Sequence, residues 1–179
     1  MTKEEKQALV QKPENEQITF DEFKQIIAQL RAKDGCPWDR EQTHESLRQC
    51  MLEEAYEAAD AIDMKDMENL KEELGDMMLQ VMLHAQIAEE NGEFTLADII
   101  DGIGRKMIRR HPHVFGSARA DSAGDVLVSW EEIKKQEKHE AGAADGMKRV
   151  AKALPANIRA QKVQKKAAAV GYDFADTNE

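Results

Sequence analysis

The fold turns on one stretch, "LEEAYEAADAIDMKDMENLKEELGDMMLQVML", residues 52–83. Two helix-forming runs flank a short polar break at Met64–Asp66, a pattern that predicts an αα-hairpin. Positions equidistant from the break then lie at equal height on the two arms. Glu57 and Glu73 are symmetric about Lys65, and so are Glu54 and Asp76. Each lies roughly 8–11 residues from the turn, about 12–16 Å along its arm at ~1.5 Å per residue. Within each arm the paired acids are three apart and share a face. The spacing therefore brings two carboxylates from each arm to one patch.

For the first arm alone, an ordinary solvated acidic face would serve. Its apolar arc, Met51, Leu52, Ala55, Ala58, Ala59 and Ile62, lies roughly opposite Glu53 and Glu57. The second arm resists that explanation. From Leu74 to Ala88 it is apolar nearly all round, which predicts burial, yet Glu73, Asp76, Gln80 and His84 run down it as one polar stripe. Carboxylates gathered there repel one another, and burial raises the cost of ionisation. Either they take up protons or a cation binds them. A donor set made of oxygen predicts a hard ion, Mg²⁺ with Mn²⁺ as a substitute. Mg²⁺ is commonly held by a few carboxylates together with substrate phosphates, so a phosphorylated substrate is expected. A di-iron bundle would need two ExxH motifs on separate helices; only Glu41–His44 fits, and it falls near a turn.

The rest of the 179-residue chain agrees with an all-α protein: helix formers dominate and aromatics are 5%. A formal charge of -10 argues against nucleic acid or an anionic membrane as partner, while leaving a small phosphorylated ligand open. Cys36 and Cys50 show no metal-like spacing and read as reduced thiols. No run approaches the roughly eighteen apolar residues of a membrane span, and the charged start lacks a signal-peptide core. A soluble, cytoplasmic protein is the expectation.

Residues 1–17 read as a loose polar leader, 18–140 as the functional domain, and 141–179 as a linker and C-terminal helix. Thr19 is a candidate N-cap for a helix that Asp34-Gly35 stops. "GCPWD" (35–39) reads as a turn, His44–Asp63 as the first hairpin arm, and the second arm as running to about Glu90. Thr95 opens a helix that Pro112 ends. A loop at 116–125 precedes an amphipathic helix through "VLVSWEEIKKQEKHE". "AGAADG" (141–146) reads as a flexible linker, and the last helix is capped by Gly171.

Lys106, Arg109 and Arg110 fall three and four apart and present three cations on one face. Arginine forks suit phosphate oxygens, and beside a metal cluster that use outweighs ordinary surface charge. Trp38 and Trp130 fit either a nucleobase platform or a buried anchor. His111 and His113 read as turn or packing residues.

The ordered set "GCPWD" (35–39), "LEEAYE" (52–57), "EELGD" (72–76) and "RRHPHVFG" (109–116) closely resembles the MazG family of nucleoside triphosphate pyrophosphohydrolases. "SWEEIKKQEK" (129–138) and "KALPANIRAQKVQKKAAAVGYDF" (152–174) extend the resemblance to about residues 19–174. It implies an all-α fold that assembles into at least dimers, a helical bundle around a central hairpin completed by oligomerisation. It implies hydrolysis of nucleoside triphosphates to monophosphate and pyrophosphate. By the same resemblance Glu54, Glu57, Glu73 and Asp76 are Mg²⁺ ligands, which leaves Glu53 to orient the attacking water. Lys106 through Arg110 and Trp130 match positions near bound nucleotide. Two alternatives stay open: a non-catalytic nucleotide-sensing or partner-binding module, and a narrower enzyme acting on dUTP or phosphoribosyl-ATP.

Overall fold

The structure, a computed structural model, describes residues 1–137 and 143–172. Among these, every regular element is helical: α1 (Lys3–Val10), α2 (Phe20–Arg31), α3 (Pro37–Glu41), α4 (Arg48–Met64), α5 (Met67–Glu90), α6 (Leu96–Arg110), α7 (Pro112–Phe115), α8 (Ala123–Glu137), α9 (Ala143–Lys148) and α10 (Ala156–Ala168). The fold is all-α. Among the described residues no helix is long and apolar enough to cross a membrane. The chain divides into two compact units, Met1–Ile103 and Gly104–Glu179.

In the first unit, α4 and α5 form the hairpin. α4 stops because Lys65 turns left-handed (φ 58°), and its N–H donates back to the carbonyls of Ala61 and Ile62. α5 starts because the Asp66 side chain accepts the Asn69 N–H at 3.1 Å. Ile27 of α2, Leu47, Met82, Leu83, Ala85 and Ile87 of the hairpin region, and Leu96 of α6 make the core, with Phe23, Leu30, Leu79 and Ile99 against it. Arg31 fastens this packing. Its guanidinium donates to both carboxylate oxygens of Glu90, and its Nη1 donates to the carbonyls of Asp39 and Gln42.

Several local readings need correction. The polar leader contains a helix: Thr2 and Glu5 form a reciprocal capping box that opens α1, and Lys6 pairs with Asp34 at 2.7 Å. "GCPWD" is less a turn than the start of α3, because Pro37 occupies the first helical position, where its missing N–H costs nothing. The first hairpin arm begins at Arg48 rather than His44; Thr43 and Ser46 exchange side-chain–backbone bonds in the approach to it. Part of the expected linker, from Ala143, is helical as α9; residues 141–142 and the tail from 173 lie outside the described residues. Thr19 does cap α2, in a box with Glu22, and Thr95 with Asp98 opens α6.

The expected all-round burial of α5 is met on one side only. Met82, Leu83, Ala85, Ile87 and Ala88 are buried, whereas Leu74, Met77, Met78 and Val81 are exposed. On α4, Ala58 and Ala61 are buried, while Met51, Leu52, Ala55, Ala59 and Ile62 are exposed. Among the described residues part of each helix's apolar surface stays exposed, while Glu73 takes a buried position.

Candidate active site: a carboxylate cluster in the hairpin

One carboxylate oxygen from each of Glu54, Glu57 and Glu73 lies within 4.8 Å of the other two. The two arms supply them because the Lys65 turn fixes equal heights on α4 and α5. Glu73 is buried (9% exposed), Glu54 is half-buried and Glu57 is exposed. Among the described residues no lysine, arginine or histidine forms an ion pair with any of the three.

Electrostatics follow from that crowding. Burial first, then the negative charges of Glu57, Asp76 and Glu54, push the Glu73 carboxyl above its ordinary range. Burial, then Asp76, Glu57 and Glu53, push Glu54 the same way. Asp76 thus acts on both arms from half-buried ground, although it stands outside the tightest group of three. Glu53 is exposed, and its Oε1 accepts the Gln49 side-chain N–H at 3.0 Å. Repulsion without a compensating cation, in an all-oxygen set, is the chemistry that a hard divalent ion relieves. The residues present fit such an ion.

The polar stripe continues beyond the acids. Gln80 is buried (5% exposed), and its Oε1 has no hydrogen-bond partner. One turn further, the His84 ring stacks on His44 with centroids 5.0 Å apart and planes inclined by 6°, the two Nδ1 atoms 2.7 Å apart. The other face of His44 presents Nε2 to Glu93 at 3.8 Å. Nε2 of His84 is buried and unpaired. Burial, then the neighbouring His44, lowers the His84 pKa. An unpaired buried polar atom costs about 1–3 kcal/mol, so two on one helix stripe are unusual. The sequence signal was the recurrence of polar residues in an apolar helix; it marked Gln80 and His84 but not the contact with His44.

The second unit holds the basic cluster. Arg110 is buried, Arg109 exposed and Lys106 half-buried. Glu137 joins the two arginines, one oxygen accepting from Arg109 Nε at 2.5 Å and the other from Arg110 Nε and Nη2 at 3.0 and 2.6 Å. These bonds, that with Arg110 foremost, hold the Glu137 carboxyl below its usual range. The Arg110 guanidinium also lies over Trp130, 5.2 Å from the ring centre, and Trp130 meets the His111 ring edge-on at 4.9 Å. Trp130 is therefore packed among side chains of its own unit, whereas Trp38 in the first unit is 60% exposed. Helical spacing gave no means of seeing Glu137, which lies 27 and 28 residues from its partners.

An all-α chain with a carboxylate-bearing hairpin defines a helical class of acid-site proteins, and comparison with known proteins makes it specific. A family model described as "MazG nucleotide pyrophosphohydrolase domain" matches residues 42–115. YabN of Bacillus subtilis (strain 168), named an uncharacterized protein, is 52% identical over 148 residues, 82% of this chain and 30% of YabN. The Thermotoga maritima protein named nucleoside triphosphate pyrophosphohydrolase/pyrophosphatase MazG is 46% identical over 159 residues, 89% of this chain and 60% of that protein. The Escherichia coli (strain K12) nucleoside triphosphate pyrophosphohydrolase is 43% identical over 156 residues, 87% of this chain and 59% of that protein. The crystal structure of a mazG-related protein from Thermotoga maritima superposes with a TM-score of 0.53 at 31% identity, covering 63% of this chain and 96% of that one. The chain belongs to the MazG family. It spans less than two thirds of the length of each of the three sequence relatives.

Proposed function

We propose that this chain is a Mg²⁺-dependent nucleoside triphosphate pyrophosphohydrolase, releasing nucleoside monophosphate and pyrophosphate by attack of water at the α-phosphorus. The observation that carries the reading is the unpaired group Glu54, Glu57 and Glu73, with Glu73 buried, in a chain of the MazG family. We assign the chemistry to the 18–140 segment.

Glu54, Glu57, Glu73 and Asp76 would hold the ion. When bound, Mg²⁺, or Mn²⁺ in its place, supplies charge compensation for the phosphates and makes the phosphorus a better electrophile. The side chains do the rest. Glu53, exposed and outside the tight group, orients the water and accepts its proton. Lys106, Arg109 and Arg110 serve the phosphate charge, with Arg109 and Arg110 exchanging their bonds to Glu137 for phosphate oxygens. The exposed Trp38 offers an indole face to a base, and Trp130 contributes through its contact with Arg110. The exposed apolar residues of α5, Leu74, Met78 and Val81, support a homodimer or larger homo-oligomer.

The test is direct. The purified chain, with nucleoside triphosphates including dUTP and with phosphoribosyl-ATP, is assayed for monophosphate by chromatography and for pyrophosphate, with and without Mg²⁺. Metal-dependent release of both supports the reading. Saturable binding without turnover would make it a sensing module, and turnover of dUTP or phosphoribosyl-ATP alone would narrow the enzyme.

A further inference from the structure

We infer that Gln80 and His84 form a nucleoside subsite that takes a hydrogen-bond donor of the substrate. The inference rests on the function proposed above, and three observations carry it.

The first is placement. Glu73, Asp76, Gln80 and His84 recur at spacings of three and four, so at ~100° per residue their side chains leave α5 within an arc of roughly 80°. The stripe is continuous with the carboxylates, and Gln80 lies about 6 Å along the axis beyond Asp76. That is the span over which a nucleotide passes from its α-phosphate to its sugar and base.

The second is the polarity of the unpaired atoms. Gln80 presents a carboxamide oxygen, an acceptor. For His84 we assign the tautomer from the nearest charge. Glu93 faces His44 Nε2, which favours the proton there; His44 Nδ1 is then an acceptor, and His84 Nδ1–H donates to it across 2.7 Å. His84 Nε2 is left with a lone pair. With that tautomer both unpaired atoms are acceptors, which neither can satisfy for the other.

The third is burial. Gln80 is 5% exposed, and the stacked, proton-sharing His44 holds the His84 ring in place. Fixed acceptors without donors are a recognition device, because a substrate lacking the donor leaves them unpaired. In ATP two parts supply donors: the sugar hydroxyls and the exocyclic amine of the base.

The experiment compares the wild-type chain with Gln80→Leu and His84→Phe on ATP, 2′-deoxy-ATP, 3′-deoxy-ATP and ITP, with thermal unfolding of each variant. Gln80→Leu should raise KM about tenfold for substrates carrying the recognised donor, leave kcat within about twofold, and leave KM unchanged for the analogue lacking it. Loss of discrimination on a deoxy analogue assigns a hydroxyl, and on ITP the amine. An equal loss on all four nucleotides, no change on any, or a fall in Tm alone (an ordered water in place of substrate) overturns the subsite. Calorimetric titration with α,β-methylene-ATP and its 2′- and 3′-deoxy and inosine counterparts separates this inference from the parent reading. Binding with the same discrimination but no hydrolysis of the natural nucleotides defeats the enzyme and keeps the subsite. Hydrolysis without discrimination does the reverse. Neither binding nor hydrolysis defeats both.

Discussion

Glu57 and Glu73 stand on opposite arms of one hairpin, equidistant in sequence from the left-handed Lys65, with carboxylate oxygens within 4.8 Å of each other. Glu57 is exposed and Glu73 is buried, so the pair spans the boundary between solvent and interior. A cation bound by the pair would meet Glu57 first and reach Glu73 only by losing part of its hydration shell.

Glu73→Gln tests that pairing. The substitution keeps shape and removes charge, so helicity should persist and cation-free stability should hold or rise. Pyrophosphate release should fall more than about 100-fold. Mg²⁺ at ~100 times its Kd should stabilise the wild-type chain by ~2.7 kcal/mol, about 5–10 °C in Tm, and the variant hardly at all. Differential scanning calorimetry with and without Mg²⁺ reads both.

Cation-free stability should depend on pH through two opposing windows. Glu73 and Glu54 have folded pKa values raised above 4.5, so between 4.5 and the raised values the folded chain binds more protons and stability rises as pH falls. His84 has a folded pKa lowered below 6.5, so there the unfolded chain binds more protons and stability falls as pH falls. Urea titrations from pH 4.5 to 7 should show Glu73→Gln losing more stability on acidification than the wild type, and His84→Phe losing less.

Arg31→Ala should cost about 1–3 kcal/mol, because it strands the carbonyls of Asp39 and Gln42 and one carboxylate, Glu90. Hydrogen exchange should quicken in α3 and at the C-terminal end of α5, leaving the turn at Lys65 protected. Equal exchange throughout the first unit would contradict a local fastening.

Glu137→Gln leaves the buried Arg110 charge without its carboxylate. A loss of stability is expected within the second unit, because removing one partner leaves the other charge buried and uncompensated. Trp130 fluorescence reports it, since the indole lies against the same guanidinium.

Lys65→Gly relieves a side chain held at positive φ and should raise stability by about 0.5–1 kcal/mol with unchanged turnover. Chemical denaturation and a rate assay together check it.

Much of this was legible in the sequence because it is local or periodic. The Lys65 break, the mirror pairs about it and the caps at Thr19 and Thr95 follow from spacing and residue type. What escaped is set by distant partners. The side of α4 that turns inward was misjudged, since Ala58 and Ala61 are small enough to let α5 approach while larger residues such as Leu52 and Ile62 stay outside. His44 reads as a residue near a turn until folding brings it onto His84. Arg109 and Arg110 read as unclaimed cations until Glu137 arrives from the next long helix. The leader's helix depends on the capping box of Thr2 and Glu5 and on Lys6 reaching Asp34.

The turn at Lys65 acts as a phase lock. A single residue inserted beside it would advance α5 by ~1.5 Å and rotate it by ~100°. Every acid would then survive in the sequence, while Glu73 swung off the seam it shares with Glu57. In this hairpin the length of a two-residue break carries as much chemical information as the glutamates themselves.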